Sequence, residues 1–516
     1  MRTTIAIAVV LMLVVAGCSQ APGSGTTPET TTAEPVDTTT EATTAPGSGT
    51  TDDGTDTTTE QPERVVKPDD PDEDVLGWEG GVWYNETIDV NAEDGLNDTD
   101  LDLTVARAMA RVEEIRGLEF EQEVPVEIVT REEFQGEQAN QSLPPDRQLF
   151  DNVKFEALFM IDESTDSLGV QNQNSGSAIG GFYSPGQNQI VVVADEGNAD
   201  APHLDEYTLA HELMHALQDQ HFDLSSYNQS TRELHNARDG VIEGEGNYVQ
   251  HLYEQRCEDE WNGDCSAPQS SSGSSGSIAN MGPYLLKFQP YSDGPAFVRS
   301  VQRRGGWEAV NELYEAPPES SEQIIHPDKY GDDSPAEFGV EDRSSDDWER
   351  LRLQDRPSYG SVGEAGIFSM LMYPYYDSQG QTQIVPAREF FNMKDGSDEL
   401  QAVDPLNYNS SYSDGWGGDK LAVYTNDATA ENETGYVWKT VWDSEEDAQE
   451  FVEGYEKLLQ YNGATQADGH ANTWVIEDGG FGDAFYVQQQ GNEVVIVNAP
   501  SVDELPNVRQ GAAPEQ

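Results

Sequence analysis

The chain has 516 residues, 97 of them acidic and 27 basic, for a net charge of −70 at pH 7. So large an anionic surplus argues against nucleic acid as a partner, because such binding needs Lys and Arg to release counterions from phosphate, and against electrostatic docking on anionic lipid. The length allows two or three domains, and 36 % hydrophobic with 9 % aromatic residues suffices for ordinary cores.

Met1 and Arg2 precede twelve apolar residues, Ile5 to Ala16, too few to span a bilayer and ending in small residues, which is the pattern of a signal peptide. Its end, Val15-Ala16-Gly17-Cys18, resembles the lipobox of exported lipoproteins. That resemblance implies a lipid on Cys18 as the first mature residue, and an address on the extracellular face of the cytoplasmic membrane. A plain secretion signal that contains a Cys is the other reading. No later segment has the length and apolarity of a membrane span.

Residues 19–66 read as a tether. Thr makes up sixteen of the forty residues from 21 to 60, and Ala21 to Thr27 recurs verbatim from Ala45 to Thr51. Almost nothing large and apolar is present to offset the entropy of ordering this stretch. A flexible chain of this length reaches about 40 Å. The acidity itself is spread over the whole length, and only 8 of the 27 cations are lysines. A dispersed carboxylate surface poor in Lys resembles the proteins of salt-adapted archaea, where molar salt screens self-repulsion.

The folded part begins with a helical stripe over Leu101 to Arg116, closed by Gly117, and a short strand over Val124 to Thr130. Phe155 to Ile161 reads as helix, and Gly180 to Val193 as strand, turn, strand, with Pro185-Gly186 at the turn. Two helices follow, about Leu204 to Asp219 and Glu233 to Glu254, and a third, Phe297 to Tyr314, is interrupted by Gly305-Gly306. Cys257 and Cys265, the only cysteines besides Cys18, are expected to form a disulfide outside the cytoplasm. Beyond a polar stretch, residues 336–510 read as a small α+β domain: a helix near Glu364 to Met372, strands at Lys420 to Tyr424, Gly435 to Val441, Thr473 to Glu477 and Glu493 to Asn498, and an amphipathic helix from Ser444 to Tyr461.

One segment carries chemistry: His211-Glu-Leu-Met-His215. Histidines four apart share a helix face, so both imidazoles can reach one Zn²⁺ at about 2.1 Å. Glu212 lies beside them, positioned to take a proton from a water at the open site. Such a motif arises by chance in roughly one chain of this composition in a hundred. The bland reading is a surface helix with polar histidines; against it stand the buried stripe of Leu209, Leu213, Ala216 and Leu217 and the crowding of six histidines between 203 and 251. Catalytic zinc needs a third protein ligand. His221 lies six residues after His215, the spacing of the longer three-histidine motif, but no glycine breaks the helix before it.

Downstream, Asp239-Gly-Val-Ile-Glu243-Gly-Glu-Gly-Asn247 places carboxylates on the next helix, which resembles the arrangement of gluzincins, the superfamily of thermolysin-like zinc peptidases. The resemblance implies Glu243 as third ligand, followed by a small residue so that the two helices pack closely; Glu245 faces about 200° away, and a solvated carboxylate is the alternative for either. The resemblance extends to Asp219, one turn after His215, where thermolysin-like motifs also carry an Asp, and to Asn247, one turn after Glu243, where they have an acid that orients a ligand histidine; an uncharged Asn there makes that ligand less basic. Glu319 to Pro327 is similar to a segment of gluzincin-like proteins that include haloarchaeal surface lipoproteins, as are Gly181-Phe-Tyr and Gly415-Trp-Gly-Gly-Asp419. On this resemblance His326 is expected to donate to the oxyanion, with Tyr183 and Tyr291 as weaker candidates and a structural role as the alternative, and the strand ending at Val193 to be the edge on which a peptide lies.

The expectation is therefore an α+β protein in four parts: signal peptide (1–18), tether (19–66), a gluzincin-like metallopeptidase domain (67–335) with a mixed sheet and edge strand over the zinc helix, and a C-terminal α+β domain (336–510). Its implied activity is zinc-dependent hydrolysis of peptide bonds in a peptide or protein substrate, with Glu212 and His326 catalytic and His211, His215 and Glu243 on the metal. A catalytically silent adhesion lipoprotein that keeps the zinc fold, and a metal-capturing lipoprotein, are the competing readings.

Overall fold

Asn97 opens the first long helix by accepting the amide N–H groups of Thr99 and Asp100 on its side-chain oxygen, and Gly117 closes it at φ 72°, a conformation glycine adopts without steric cost. The computed structural model describes residues 70–515 apart from 72, 91–94, 140–141, 195–204, 262–263, 267–277 and 427–432. The signal peptide, Cys18, the whole tether and His203 lie outside the described residues.

A two-stranded ribbon, β1 (Trp78–Glu79) and β2 (Val82–Trp83), precedes that helix, α1 (Asp98–Arg116). Next come β3 (Val126–Thr130), α2 (Arg131–Ala139), α3 (Pro145–Ala157), α4 (Ser167–Ala178), β4 (Gly181–Ser184) and β5 (Gln189–Ala194). The strands form one mixed sheet in the order β3-β5-β4, with β3 parallel and β4 antiparallel to β5. This corrects the expectation for the strand ending at Val193: β5 is paired on both sides, so the edge beside the next helix belongs to β4. The helix expected over Phe155 to Ile161 ends instead at Ala157, and Phe159 turns the chain at φ 52°.

Four helices follow: α5 (Glu206–Phe222), α6 (Arg232–Asp259), α7 (Met281–Glu315) and α8 (Ser321–Ile325). Asp205 caps α5 and Thr231 caps α6 through side-chain oxygens. The α6–α7 crossing is made by glycines. A Cβ on Gly244 would lie 2.5 Å from the carbonyl carbon of Gly294, and one on Gly294 would lie 2.5 Å from the carbonyl oxygen of Gly240, so the two backbones touch. Helix α7 starts well before Phe297, carrying Pro290 and Pro295 inside it, and kinks at Gly306 (φ 71°). The Cys257–Cys265 disulfide forms as expected, closing the chain after α6.

The remaining elements are β6 (Glu349–Arg350), α9 (Gly363–Asp377), α10 (Ala387–Phe390), β7 (Trp416–Asn426), β8 (Glu433–Trp442), α11 (Glu445–Tyr461), β9 (Thr465–Gln466), β10 (Thr473–Val475), β11 (Ala484–Gln490), β12 (Glu493–Ala499) and α12 (Leu505–Val508). Seven of them make an antiparallel sheet in the order β6-β7-β8-β12-β11-β10-β9. Helix α11 lays Phe451, Tyr455, Leu458 and Leu459 on it, the stripe its sequence displays. The chain is thus mixed helix and sheet. The expected boundary at 335/336 does not separate two cores, because one cluster joins Phe155 of α3 and Phe288 of α7 to Phe368 of α9, Trp438 of β8 and Phe485 of β11. Among the described residues no helix is long and apolar enough to cross a membrane.

Candidate metal centre

His211 and His215 stand one turn apart on α5 with their rings 4.6 Å apart, and α6 crosses in front of them with Glu243. The Nε2 atoms of the two histidines are 2.9 Å apart, and Glu243 Oε2 lies 3.2 Å from His211 Nε2 and 3.1 Å from His215 Nε2. Donor atoms at these separations are those of ligands each about 2.0–2.1 Å from one common ion. The donor set also fits: two imidazole nitrogens and one carboxylate oxygen are what catalytic zinc takes from protein. All three side chains are buried, at 0, 0 and 1 % exposure.

The charges of the trio are coupled. Burial and the neighbouring His215 lower the proton affinity of His211. Burial acts the same way on His215, but the carboxylate of Glu243 overrides it and pushes that imidazole up to about 9. Burial alone would raise Glu243; the charge of His215 and the hydrogen bonds from both histidines instead hold it well below the ordinary carboxylate range.

A row of residues behind His215 fixes which of its nitrogens faces the trio. Gln218 Nε2 donates to the Ile242 carbonyl and to Glu245 Oε2, both at 3.0 Å, so its oxygen is turned toward His215 Nδ1 at 2.9 Å. That oxygen can only accept, so Nδ1 carries a proton, and Nε2, which faces Glu243, is the nitrogen that would give up its proton to a metal. Glu245 is held in turn by Arg116 and by the Tyr314 hydroxyl. On the other side Asn247 interacts with the His211 imidazole while donating to the Tyr291 carbonyl at 3.0 Å. Asp219 accepts the Tyr183 hydroxyl and the Leu224 amide, tying β4 to the end of α5.

Glu212 is 1 % exposed, and neither of its oxygens holds a hydrogen bond of ordinary geometry. Its carboxylate lies against β4, where a Cβ on Gly181 would be 3.9 Å from Oε1 and the Tyr183 amide slightly favours the charged form. Burial pushes its pKa up to about 8. The group is placed to hold or release a proton near neutral pH.

The structure thus brings together His211, His215, Glu243 and Glu212. It does not bring His221 to them: that imidazole bonds the Glu119 carbonyl at 2.8 Å. Nor does it bring His326, whose Nε2 lies 3.1 Å from Glu364 on α9 and 3.7 Å from Asp414. Among the described residues no hydrogen bond or ion pair links His326 to the trio. Gln218 was legible only as the residue standing where the longer motif has glycine, and its bond to His215 had no signal beyond a polar side chain three residues on. The small residue that lets α6 approach α5 is Gly246, against the His211 ring, whereas Gly244 accommodates α7.

A family model described as a domain of unknown function (DUF8575) matches residues 349–509, the span from β6 to just after α12. The trio lies outside that match. No curated protein and no solved structure matches the chain.

Proposed function

We propose that this chain is a zinc-dependent, gluzincin-like metallopeptidase held at the outer face of the cytoplasmic membrane by a lipid on Cys18. The observation that carries the reading is the convergence of three donor atoms within 3.2 Å of one another beside a buried carboxylate that holds no hydrogen bond of ordinary geometry among the described residues. Zinc at this place lowers the pKa of water and polarises a carbonyl. His211, His215 and Glu243 hold the ion, and Gln218 keeps His215 in the tautomer that can bind it. Glu212 accepts the proton of the attacking water and passes it to the leaving amine. The edge of β4, unpaired among the described residues and with Glu212 lying against it, offers main-chain groups to an extended peptide. His326 takes no part in this reading, since its contacts are with Glu364 and Asp414. The Thr-rich tether gives the domain reach from the membrane, and the dispersed acidic surface suits a saline medium.

The full burial of all four side chains favours one alternative, a silent adhesion protein in which zinc only braces the fold. The deciding experiment is cleavage of an unstructured protein by the full chain in multimolar salt, with and without chelator. The proposal expects chelator-sensitive cleavage that Glu212→Gln lowers by about 10²–10⁴-fold while zinc stays bound. Cleavage that survives either change, or no cleavage by the zinc-loaded chain, contradicts it.

A further inference from the structure

Two other clusters of potential ligands lie where α8, α9 and the C-terminal sheet meet. In the first, Glu322, Asp333 and Asp443 surround the Lys329 ammonium, whose Nζ is 2.6, 3.3 and 3.0 Å from them. A cationic side chain already answers these carboxylates. The second cluster, His326, Glu364 and Asp414, is built differently.

Both carboxylate oxygens of Glu364 lie 3.1 Å from the same atom, His326 Nε2, and Asp414 Oδ1 lies 3.7 Å from it. An imidazole Nε2 carries at most one hydrogen, so it can satisfy one of these three oxygens. Glu364 is 0 % exposed, and its Oε2 is left without a hydrogen bond. A buried carboxylate oxygen in that state is costly, and among the described residues no other donor meets it. The start of α9 is anchored: Asp419 accepts the amides of Val362 and Gly363, immediately before Glu364. Asp414, on a loop, is about half exposed, so the cluster has one open side.

We propose that His326, Glu364 and Asp414 form a second divalent-cation site, distinct from the trio on α5 and α6. One ion meeting the imidazole nitrogen and a carboxylate oxygen from each acid satisfies the whole cluster, and water completes its shell on the exposed side. A nitrogen with two carboxylates and no thiolate suits zinc, cobalt or manganese better than calcium, which takes oxygen alone. The ion clasps α8 to α9 and to the loop before β7, joining the expected peptidase part to the C-terminal part.

The test is metal stoichiometry and affinity of the full chain for Zn²⁺ in molar KCl, with Co²⁺ absorption as a second readout. Wild type is expected to bind two equivalents, His215→Ala one, Glu364→Gln one, and the double variant none. Asp414→Asn, at an exposed position that leaves folding intact, is expected to weaken the second equivalent at least about tenfold. If His215→Ala binds as much as wild type while Glu364→Gln binds nothing, this site stands and the trio reading falls. If Glu364→Gln and Asp414→Asn both bind zinc as wild type does, or if His215→Ala binds none, the second site is overturned.

Discussion

Gly246 of α6 packs on the imidazole of His211 so closely that a methyl group there would lie 2.9 Å from Cε1 and 3.1 Å from Nδ1. The ring proposed to meet the metal is thus positioned by the absence of a side chain on the opposite helix. Gly246→Ala should push the ring aside and lower zinc affinity by about 10–100-fold, the range seen when a ligand's supporting contact is lost. Calorimetric titration checks it; an unchanged affinity would show that the ring position is set elsewhere.

Gly244 should behave differently. Its added methyl would meet backbone of α7 at 2.5 Å, which cannot swing away as a ring can. Gly244→Ala should cost about 1–3 kcal/mol of stability through overpacking at the α6–α7 crossing. A thermal or denaturant unfolding curve matching wild type would contradict this.

Gln218→Leu removes the acceptor that fixes the His215 tautomer and leaves Glu245 short of a donor. Zinc affinity should fall by about 10–100-fold with Glu212 untouched. If the residual activity of the zinc-saturated variant equals wild type, Gln218 acts on binding alone, as expected of a positioning residue. An affinity equal to wild type would contradict the assignment.

Acid and base should act on the C-terminal part through Glu156 and Asp483. Burial, then the mutual charge, raises Glu156 well above its ordinary range; burial raises Asp483 to about 7, against hydrogen bonds from Asn498 and Glu156 that lower it. Both carboxyls bind protons more tightly folded than unfolded. Their contribution is therefore full below the unfolded pKa near 4 and is lost as pH rises toward and through about 7. Glu156→Gln donates to Asp483 without needing a proton, so its melting temperature should decline less than wild type's between pH 4 and pH 8. Parallel curves would contradict the pairing.

Replacing Cys257 and Cys265 by Ser should lower stability by about 2–3 kcal/mol, the loop-closure value for so short a loop. Denaturant unfolding reads it directly. No change would mean that the buried contacts of Arg111, whose guanidinium stacks on Trp261 and bonds Glu206, hold this corner unaided.

The long helices are legible from their apolar stripes, and α11 also from Ser444 at its start; Asn97, Asp205 and Thr231 set the true starts of α1, α5 and α6 by capping them. The convergence of His211 and His215 follows from helical spacing alone. Glu243 is different, since its place depends on where α6 crosses α5, which rests on contacts such as Gly246 against His211 that no local pattern displays. Helix α7 begins well before the expected start at Phe297, running through Pro290 and Pro295, residues that ordinarily interrupt a helix, where α6 packs tightly against it. Strand β11 was missed because Gln488, Gln489 and Gln490 end it without an apolar alternation, and pairing with β12 supplies what the sequence lacks. His326 sits where tertiary contact with Glu364 takes it, 38 residues away along the chain.

The measurement closest to the central claim is anomalous scattering at the zinc edge from crystals of the full chain. A peak is expected about 2.1 Å from His211 Nε2, His215 Nε2 and the Glu243 carboxylate, with no fourth protein ligand and with Glu212 facing the remaining position. Absence of a peak between these three side chains in zinc-loaded crystals, or a peak closed off by a further protein ligand, would contradict it.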